Sequence, residues 1–214
     1  MDASRLSGLF RDSIYGIVSF EHGNGRSVYE QAAGMLAGGI GIIQYREKRR
    51  PKDVRVEECR RLRVLTREKG ALFIVNDDVD VALDCDADGV HVGQDDMPVA
   101  GVRRLVGTAR VIGLSTHSPS QLEAAQESGA DYIGAGPVYS TKTKDNPDPV
   151  TGLELVAYAA RHSRLPFVAI GGIKLHSIDA VIAAGARCVC CVTEITAAPD
   201  IPGIVRALTS RFSR

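Results

Sequence analysis

The chain has 214 residues, with 26 Lys and Arg balanced by 26 Asp and Glu and 44% hydrophobic side chains, enough to bury one full core. Zero formal charge without a basic stripe argues against nucleic acid as the main partner, because affinity for the phosphate backbone comes from clustered Lys and Arg. Met1-Asp2-Ala3-Ser4-Arg5 has no basic start leading into an apolar segment, and no later run approaches membrane-spanning length, so the expectation is a cytoplasmic protein with no membrane partner.

In chain order, apolar strand-like runs fall at residues 14–18, 40–44, 72–75, 89–92, 111–114, 132–135, 167–170 and 189–192. Helical periodicity fills the intervals. Val28, Ala32, Met35 and Leu36 share one helix face, Cys59, Leu62 and Leu65 a second, and Ile178, Val181 and Ile182 a third. Ser27 with Glu30, Ser118-Pro119 with Gln121, and Thr151 with Glu154 have capping-box spacing, and Pro119 stands at a first helical position. Gly38-Gly39, Gly129-Ala130-Asp131 and Gly185-Ala186-Arg187 read as helix exits that feed the next strand.

Eight such units in 214 residues predict a single (β/α)8 TIM barrel over residues 1–214, α/β in class, with no linker. An open doubly wound sheet fits less well, since no Gly-x-Gly-x-x-Gly follows the first strand. The cysteines at 59, 85, 188, 190 and 191 are odd in number, lie in apolar surroundings and lack metal-ligand spacing, so they are expected to be reduced core thiols.

Active sites of this fold occupy the loops that follow the strands. After the second strand, Gln44 and Arg46 alternate to one side and Lys48 follows. Arg46 can fork onto phosphate oxygens and Lys48 can add a point charge, although a solvated loop of local ion pairs reads the same residues equally well. The third strand runs into Asn76-Asp77-Asp78 and the fourth into Gly93-Gln94-Asp95-Asp96. Carboxylates from adjacent loops suit Mg2+, which takes one or two protein carboxylates together with waters and phosphate oxygens. Asp77 and Asp96 are the predicted metal ligands, whereas Asp78 is expected to cap the following helix and His91 to be a packed or orienting residue.

Ser115 has no obvious base beside it in the sequence that would make it a nucleophile and is expected to hydrogen-bond a ligand, and His117 reads as a general base or a surface residue beside the Ser118 cap. The long segment from Gly136 to Pro149 suggests a cover bearing Thr141, Thr143 and Lys144 toward an anion. Gly171-Gly172 leaves room for backbone N–H groups to approach a phosphate, or makes only a tight turn.

Taken in order, Gln44-Tyr45-Arg46-Glu47-Lys48, Val75-Asn76-Asp77-Asp78, His91-Val92-Gly93-Gln94-Asp95-Asp96, Gly113-Leu114-Ser115, Gly136-Pro137 through Lys144, and Ala169-Ile170-Gly171-Gly172-Ile173 resemble the thiamine-phosphate synthase family, also called thiamine-phosphate pyrophosphorylase. The resemblance spans nearly the whole chain. It implies an enzyme that joins hydroxymethylpyrimidine diphosphate to a thiazole phosphate and releases pyrophosphate. It further implies that Gln44, Arg46, Lys48, Asn76 and Lys144 hold the pyrimidine diphosphate, with Arg46, Lys48 and Lys144 stabilising the leaving group and Ser115 touching the pyrimidine. Asp77 and Asp96 would bind Mg2+. Thr141, Thr143, Gly172, Val192 and Thr193 would hold the thiazole phosphate.

The chain departs from the family pattern at Arg187-Cys188, where Asp-Gly is commoner, at Thr193, commonly Ser, and at Ser140, frequently Pro. A related thiazole tautomerase, using a base near His117, is one rival reading; it does not need the diphosphate and metal residues. A non-catalytic sensor or scaffold that retains the pocket is another. A homo-oligomer is compatible with the sequence, but no coiled-coil stripe requires one.

Overall fold

The computed structural model describes residues 3–141, 143 and 148–213. Eight parallel strands close into a barrel in chain order: β1 (Ser13–Val18), β2 (Ile42–Tyr45), β3 (Leu72–Asn76), β4 (Gly89–Val92), β5 (Val111–Thr116), β6 (Tyr132–Ala135), β7 (Phe167–Ile170) and β8 (Cys188–Cys190), with β8 paired back to β1. Helix α1 (Ala3–Leu9) precedes the barrel. The crossovers carry α2 (Val28–Ala37), α3 (Lys52–Glu68), α4 (Val79–Asp84), α5 (Val99–Val106), α6 (Pro119–Glu127), α7 (Gly152–His162) and α8 (Ile178–Ala183), while α9 (Val192–Thr196) and α10 (Ile201–Thr209) follow β8. The predicted barrel is therefore the observed one. Among the described residues, no helix is long and apolar enough to cross a membrane.

The strands read as continuous apolar runs because both of their faces are covered. Their outward side chains, such as Ile43, Phe73, Val90, Ile112 and Val189, join the helices in the larger core. Their inward side chains, from Tyr15 and Ile42 round to Val168 and Cys190, form a separate inner cluster that Leu6 and Phe10 join from the N-terminal side. All five cysteines are buried free thiols. Burial pushes the Cys188 and Cys191 thiols up to about 12, which keeps them protonated and unreactive at neutral pH.

Two aspartates fasten the N-terminal ends of the strands. Asp88, just before β4, accepts from the Phe73 N–H and from Arg63 of α3, at 2.8 and 2.7 Å. Asp131, just before β6, accepts from the Ile112 N–H and from Arg103 of α5, at 2.7 and 2.6 Å. Each carboxylate thus ties a neighbouring strand to a helix, a stabilising arrangement at the face of the barrel that carries no chemistry.

The structure corrects four local expectations. The second strand starts at Ile42, while Ile40 is buried outside the ladder. The eighth was expected at 189–192 but ends at Cys190, the last residue paired with β7, and Val192 begins α9. Thr151 does not cap α7. Its N–H and hydroxyl both donate to the Pro137 carbonyl, at 2.8 and 3.1 Å, so its polar groups serve the loop after β6. At α6 only half of the predicted box forms: Ser118 accepts from the Gln121 N–H, but the Gln121 amide oxygen takes the N–H of His117. The full reciprocal box is present at Ser27 and Glu30.

His91, Gly113 and Tyr132 occupy one row across β4, β5 and β6. Because Gly113 has no side chain, the two rings meet across it with centroids 5.4 Å apart. A Cβ on Gly113 would lie 2.3 Å from His91 Nδ1 and 2.2 Å from Tyr132 Cζ, and neither ring can step aside in the packed interior. Gly113→Ala is expected to destabilise the fold by about 3 kcal/mol, read as a lower midpoint of denaturant unfolding at an unchanged m value.

Candidate active site

The C-terminal mouth of the barrel holds an open cavity of about 170 Å³. Gln44, Arg46, Lys48, Asn76, Asp77, Asp96, Ser115, Thr141, Thr143 and Val192 all line it. Period-2 alternation explains the gathering, since Gln44 on β2 with Arg46 just past its end, Asn76 on β3, His91 on β4 and Ser115 on β5 continue the inward faces of their strands. Gly171 lines the cavity, whereas its neighbour Gly172 and Thr193 are not part of the wall. Lys144 lies outside the described residues.

Asp77 sits at φ +58, a left-handed conformation that Asp tolerates better than most residues, and its N–H donates to the His91 carbonyl at 2.8 Å. This kink at the end of β3 sets the Asp77 carboxylate beside Lys48, 2.7 Å from Nζ. Burial raises the Asp77 carboxyl above its ordinary pKa; Lys48 opposes the rise, and a hydrogen bond and repulsion from Asp96 add to it. Asp96 accepts the Gly93 N–H at 2.7 Å, and α5 begins after Pro98, so this carboxylate does not cap the helix. Asp78, by contrast, accepts the Val81 N–H of α4 and pairs with Arg55 at 2.8 Å, the expected capping role. Two crowded carboxylates on adjacent strand ends, with one lysine against them, form a hard-oxygen donor set that fits Mg2+.

On the opposite rim, Gly171 and Gly172 both have positive φ, and a Cβ on either would lie within 2.5 Å of the loop after β6, at Pro137 Cα or Ser140 O. Glycine is required here by that close approach, and the backbone turns into the cavity with no side chain in the way. Thr193, expected to face a phosphate, instead accepts from Lys174 Nζ at 2.8 Å, and Lys174 also pairs with Glu194 at 3.3 Å. The early end of β8 accounts for the difference, because Thr193 lies on α9 and follows helical spacing.

Three further residues belong to the mouth. His22, in the loop after β1, lines the cavity and its Nε2 lies 3.2 Å from the Thr143 carbonyl, which Arg46 also reaches at 3.3 Å. Sequence gives no sign of this contact, for the two residues are 121 apart. His117 is half-buried, with Nδ1 on the Gly136 carbonyl and Nε2 3.3 Å from Asp148 Oδ2. His91 is buried, its Nδ1 2.9 Å from Tyr132 OH and its Nε2 2.9 Å from Ser115 Oγ. Below it the polar line continues from Tyr132 OH to Tyr15 OH at 2.8 Å and on to Gln44 Nε2 at 2.9 Å.

Residues 14–195 match the family model described as thiamine monophosphate synthase. The chain is 55% identical over 210 residues to a thiamine-phosphate synthase of Pelotomaculum thermopropionicum, covering 98% of this chain and 96% of that one. It is 50% identical over 196 residues to a thiamine-phosphate synthase of Caldicellulosiruptor bescii, covering 92% and 90%. Among solved structures, a thiamine phosphate pyrophosphorylase from Pyrococcus furiosus superposes with a TM-score of 0.87 at 33% identity, covering 97% of this chain and 98% of that one.

Burial lowers the His91 imidazole from 6.5 to about 4, against weak support from Asp96. Between those two values the unfolded chain binds a proton that the folded chain excludes, so stability falls as pH drops from 6.5 toward 4. The loss is expected to total on the order of 3 kcal/mol, and His91→Gln should flatten that segment of a stability–pH profile measured by denaturant unfolding.

Proposed function

The chain belongs to the thiamine monophosphate synthase family, its activity is that of a thiamine-phosphate synthase, a transferase of thiamine biosynthesis, and we propose how its barrel mouth performs that reaction. The substrates on this reading are 4-amino-2-methyl-5-(diphosphooxymethyl)pyrimidine and 4-methyl-5-(2-phosphooxyethyl)thiazole. The observation that supports it is the convergence of Gln44, Arg46, Lys48, Asn76, Asp77, Asp96 and Ser115 on one cavity.

The pyrimidine lies over the inward ends of β2 and β5, where Gln44 and Ser115 offer hydrogen bonds and the apolar walls at Ile17 and Val168 exclude water. Its diphosphate points toward Arg46, Lys48 and Asn76. Asp77 and Asp96 would hold Mg2+, which when bound would supply positive charge to the departing diphosphate. The thiazole phosphate takes the opposite rim, between the Gly171 backbone and Thr141, Thr143 and Val192.

Reaction begins with cleavage of the methylene C–O bond, whose electron pair leaves on the diphosphate. Arg46 and Lys48 face the charge that develops there, so their attraction is greatest in the transition state, and the same stabilising role is assigned to Lys144. The pyrimidinylmethyl cation that remains is captured by the thiazole nitrogen, forming the C–N bond of thiamine phosphate. Neither step transfers the pyrimidine to the protein. Among the described residues that line the cavity there is no cysteine, and that route requires no covalent intermediate.

The decisive experiment incubates purified protein with both substrates and Mg2+ and quantifies thiamine phosphate and pyrophosphate together, with an EDTA control. Equal, metal-dependent formation of both is expected, and ligand binding without either product would move the reading to a sensor. Asp77→Asn, which keeps a residue tolerant of positive φ, should lower kcat by about 100-fold at saturating substrates while the fold persists. An unchanged kcat would remove Asp77 from the metal site.

A further inference from the structure

The polar line inside the barrel has a direction, and that direction ends at Ser115. Gln44 Nε2 is a donor only, and it donates to Tyr15 OH. The Tyr15 proton then has one acceptor within reach, the oxygen of Tyr132, 2.8 Å away. Tyr132 in turn has one remaining acceptor for its own proton, His91 Nδ1 at 2.9 Å. Both tyrosines are buried and their phenols are held well above the ordinary range by burial, so both keep their protons. A neutral imidazole that accepts at Nδ1 must carry its hydrogen on Nε2, where Ser115 Oγ stands at 2.9 Å. Ser115 Oγ therefore receives a hydrogen bond from below, and its own proton is turned into the cavity that it lines.

We infer that His91 is a positioning residue, held by the Gln44–Tyr15–Tyr132 chain as the Nε2–H tautomer, which makes Ser115 a hydrogen-bond donor selective for an acceptor atom such as an aromatic ring nitrogen of the substrate. The inference deepens the reading that the pyrimidine lies over Ser115 and rests on it for its substrate. Its physical basis is independent of that reading. Each phenol in the row accepts from one neighbour and donates to the next, so reversing a single link would strand a buried O–H. Opposite orientation of the Gln44 amide would reverse the whole chain, place the proton on Nδ1, and turn Ser115 into an acceptor.

The test begins with 15N NMR of the whole labelled protein, with His91 assigned by its loss in His91→Gln. An unprotonated Nδ1 and a protonated Nε2 are expected; a protonated Nδ1 overturns the inference, whatever the protein's activity. Tyr132→Phe removes the donor that fixes the tautomer. It should mix the His91 tautomers and raise KM for the pyrimidine diphosphate roughly five-fold, the worth of one ordinary hydrogen bond, with KM for the thiazole phosphate unchanged. In a Ser115→Ala background the same substitution should add nothing, because its effect passes through that hydroxyl.

A folded Tyr132→Phe protein with unchanged tautomer and unchanged KM, or an equal rise in both KM values, overturns the role. Should Tyr132→Phe not fold, His91→Gln against His91→Leu reads the same claim, since an amide N–H can replace the donor that leucine lacks. Parity between those two variants would refute it. Failure of the parent protein to form thiamine phosphate would instead defeat the substrate assignment and leave the tautomer result standing.

Discussion

The hydrogen bond from Tyr132 to His91 across the bare backbone of Gly113 governs what the rest of the barrel interior can be. A buried imidazole or phenol without a partner would cost several times what a typical hydrogen bond contributes, so once one of these groups is inside, the others must be arranged to satisfy it. Tyr15 meets Tyr132, Gln44 meets Tyr15, and Ser115 meets the far nitrogen of His91. Phe10 packs against the Tyr132 ring from beneath, with centroids 4.8 Å apart, so the polar line stands on an apolar floor. The inner cluster is apolar at the N-terminal side and polar at the mouth, and a line of side-chain hydrogen bonds makes the transition.

The same residue type serves opposite ends of the barrel under opposite electrostatic terms. Asp88 and Asp131 at the N-terminal face each have a guanidinium and a backbone N–H, which leaves their charge matched within the protein. At the mouth, Asp77 has Lys48 but also the repulsion of Asp96 and a partly desolvated setting, and its carboxyl is raised rather than lowered. A carboxylate pair so arranged favours a state in which further positive charge arrives with a ligand. The mouth is thus less well matched by itself than the base, as expected where binding energy is to be realised with substrate rather than in the folded chain alone.

Features that repeat along the chain were legible in sequence. Eight apolar runs, the polar residues directly after them, the Ser27 box and the capping role of Asp78 depend on neighbours within a few positions, and local spacing carries that information. What closure brings together was not legible. Tyr15 and Tyr132 are 117 residues apart and His22 and Thr143 are 121 apart, and nothing near either residue announces its partner. Thr151 illustrates a second limit. Its spacing to Glu154 is that of a capping box, yet the Pro137 carbonyl, 14 residues away, takes its hydroxyl proton. The end of β8 failed for a related reason: Cys191 and Val192 are as apolar as Val189, and only the loss of a paired partner beyond Ile170 decides that the chain turns into a helix there.

Gly113 shows why a residue can be most informative where it looks least so. Read along β5, a glycine weakens a strand and suggests nothing chemical. Read across the sheet, it is the one position in its row where any side chain, even a methyl, would part His91 from Tyr132. Ser115, two residues further on the same face, is the hydroxyl that His91 then reaches. The alternation Gly113-Leu114-Ser115 therefore encodes two linked requirements on one strand, space for the ring pair and a hydroxyl above it, with Leu114 turned outward to the helices. A glycine and a serine at this spacing make a functional unit only because the neighbouring strands supply a histidine and a tyrosine in register, so the chemistry of the mouth is set by pairing across the barrel as much as by the loops that form its rim.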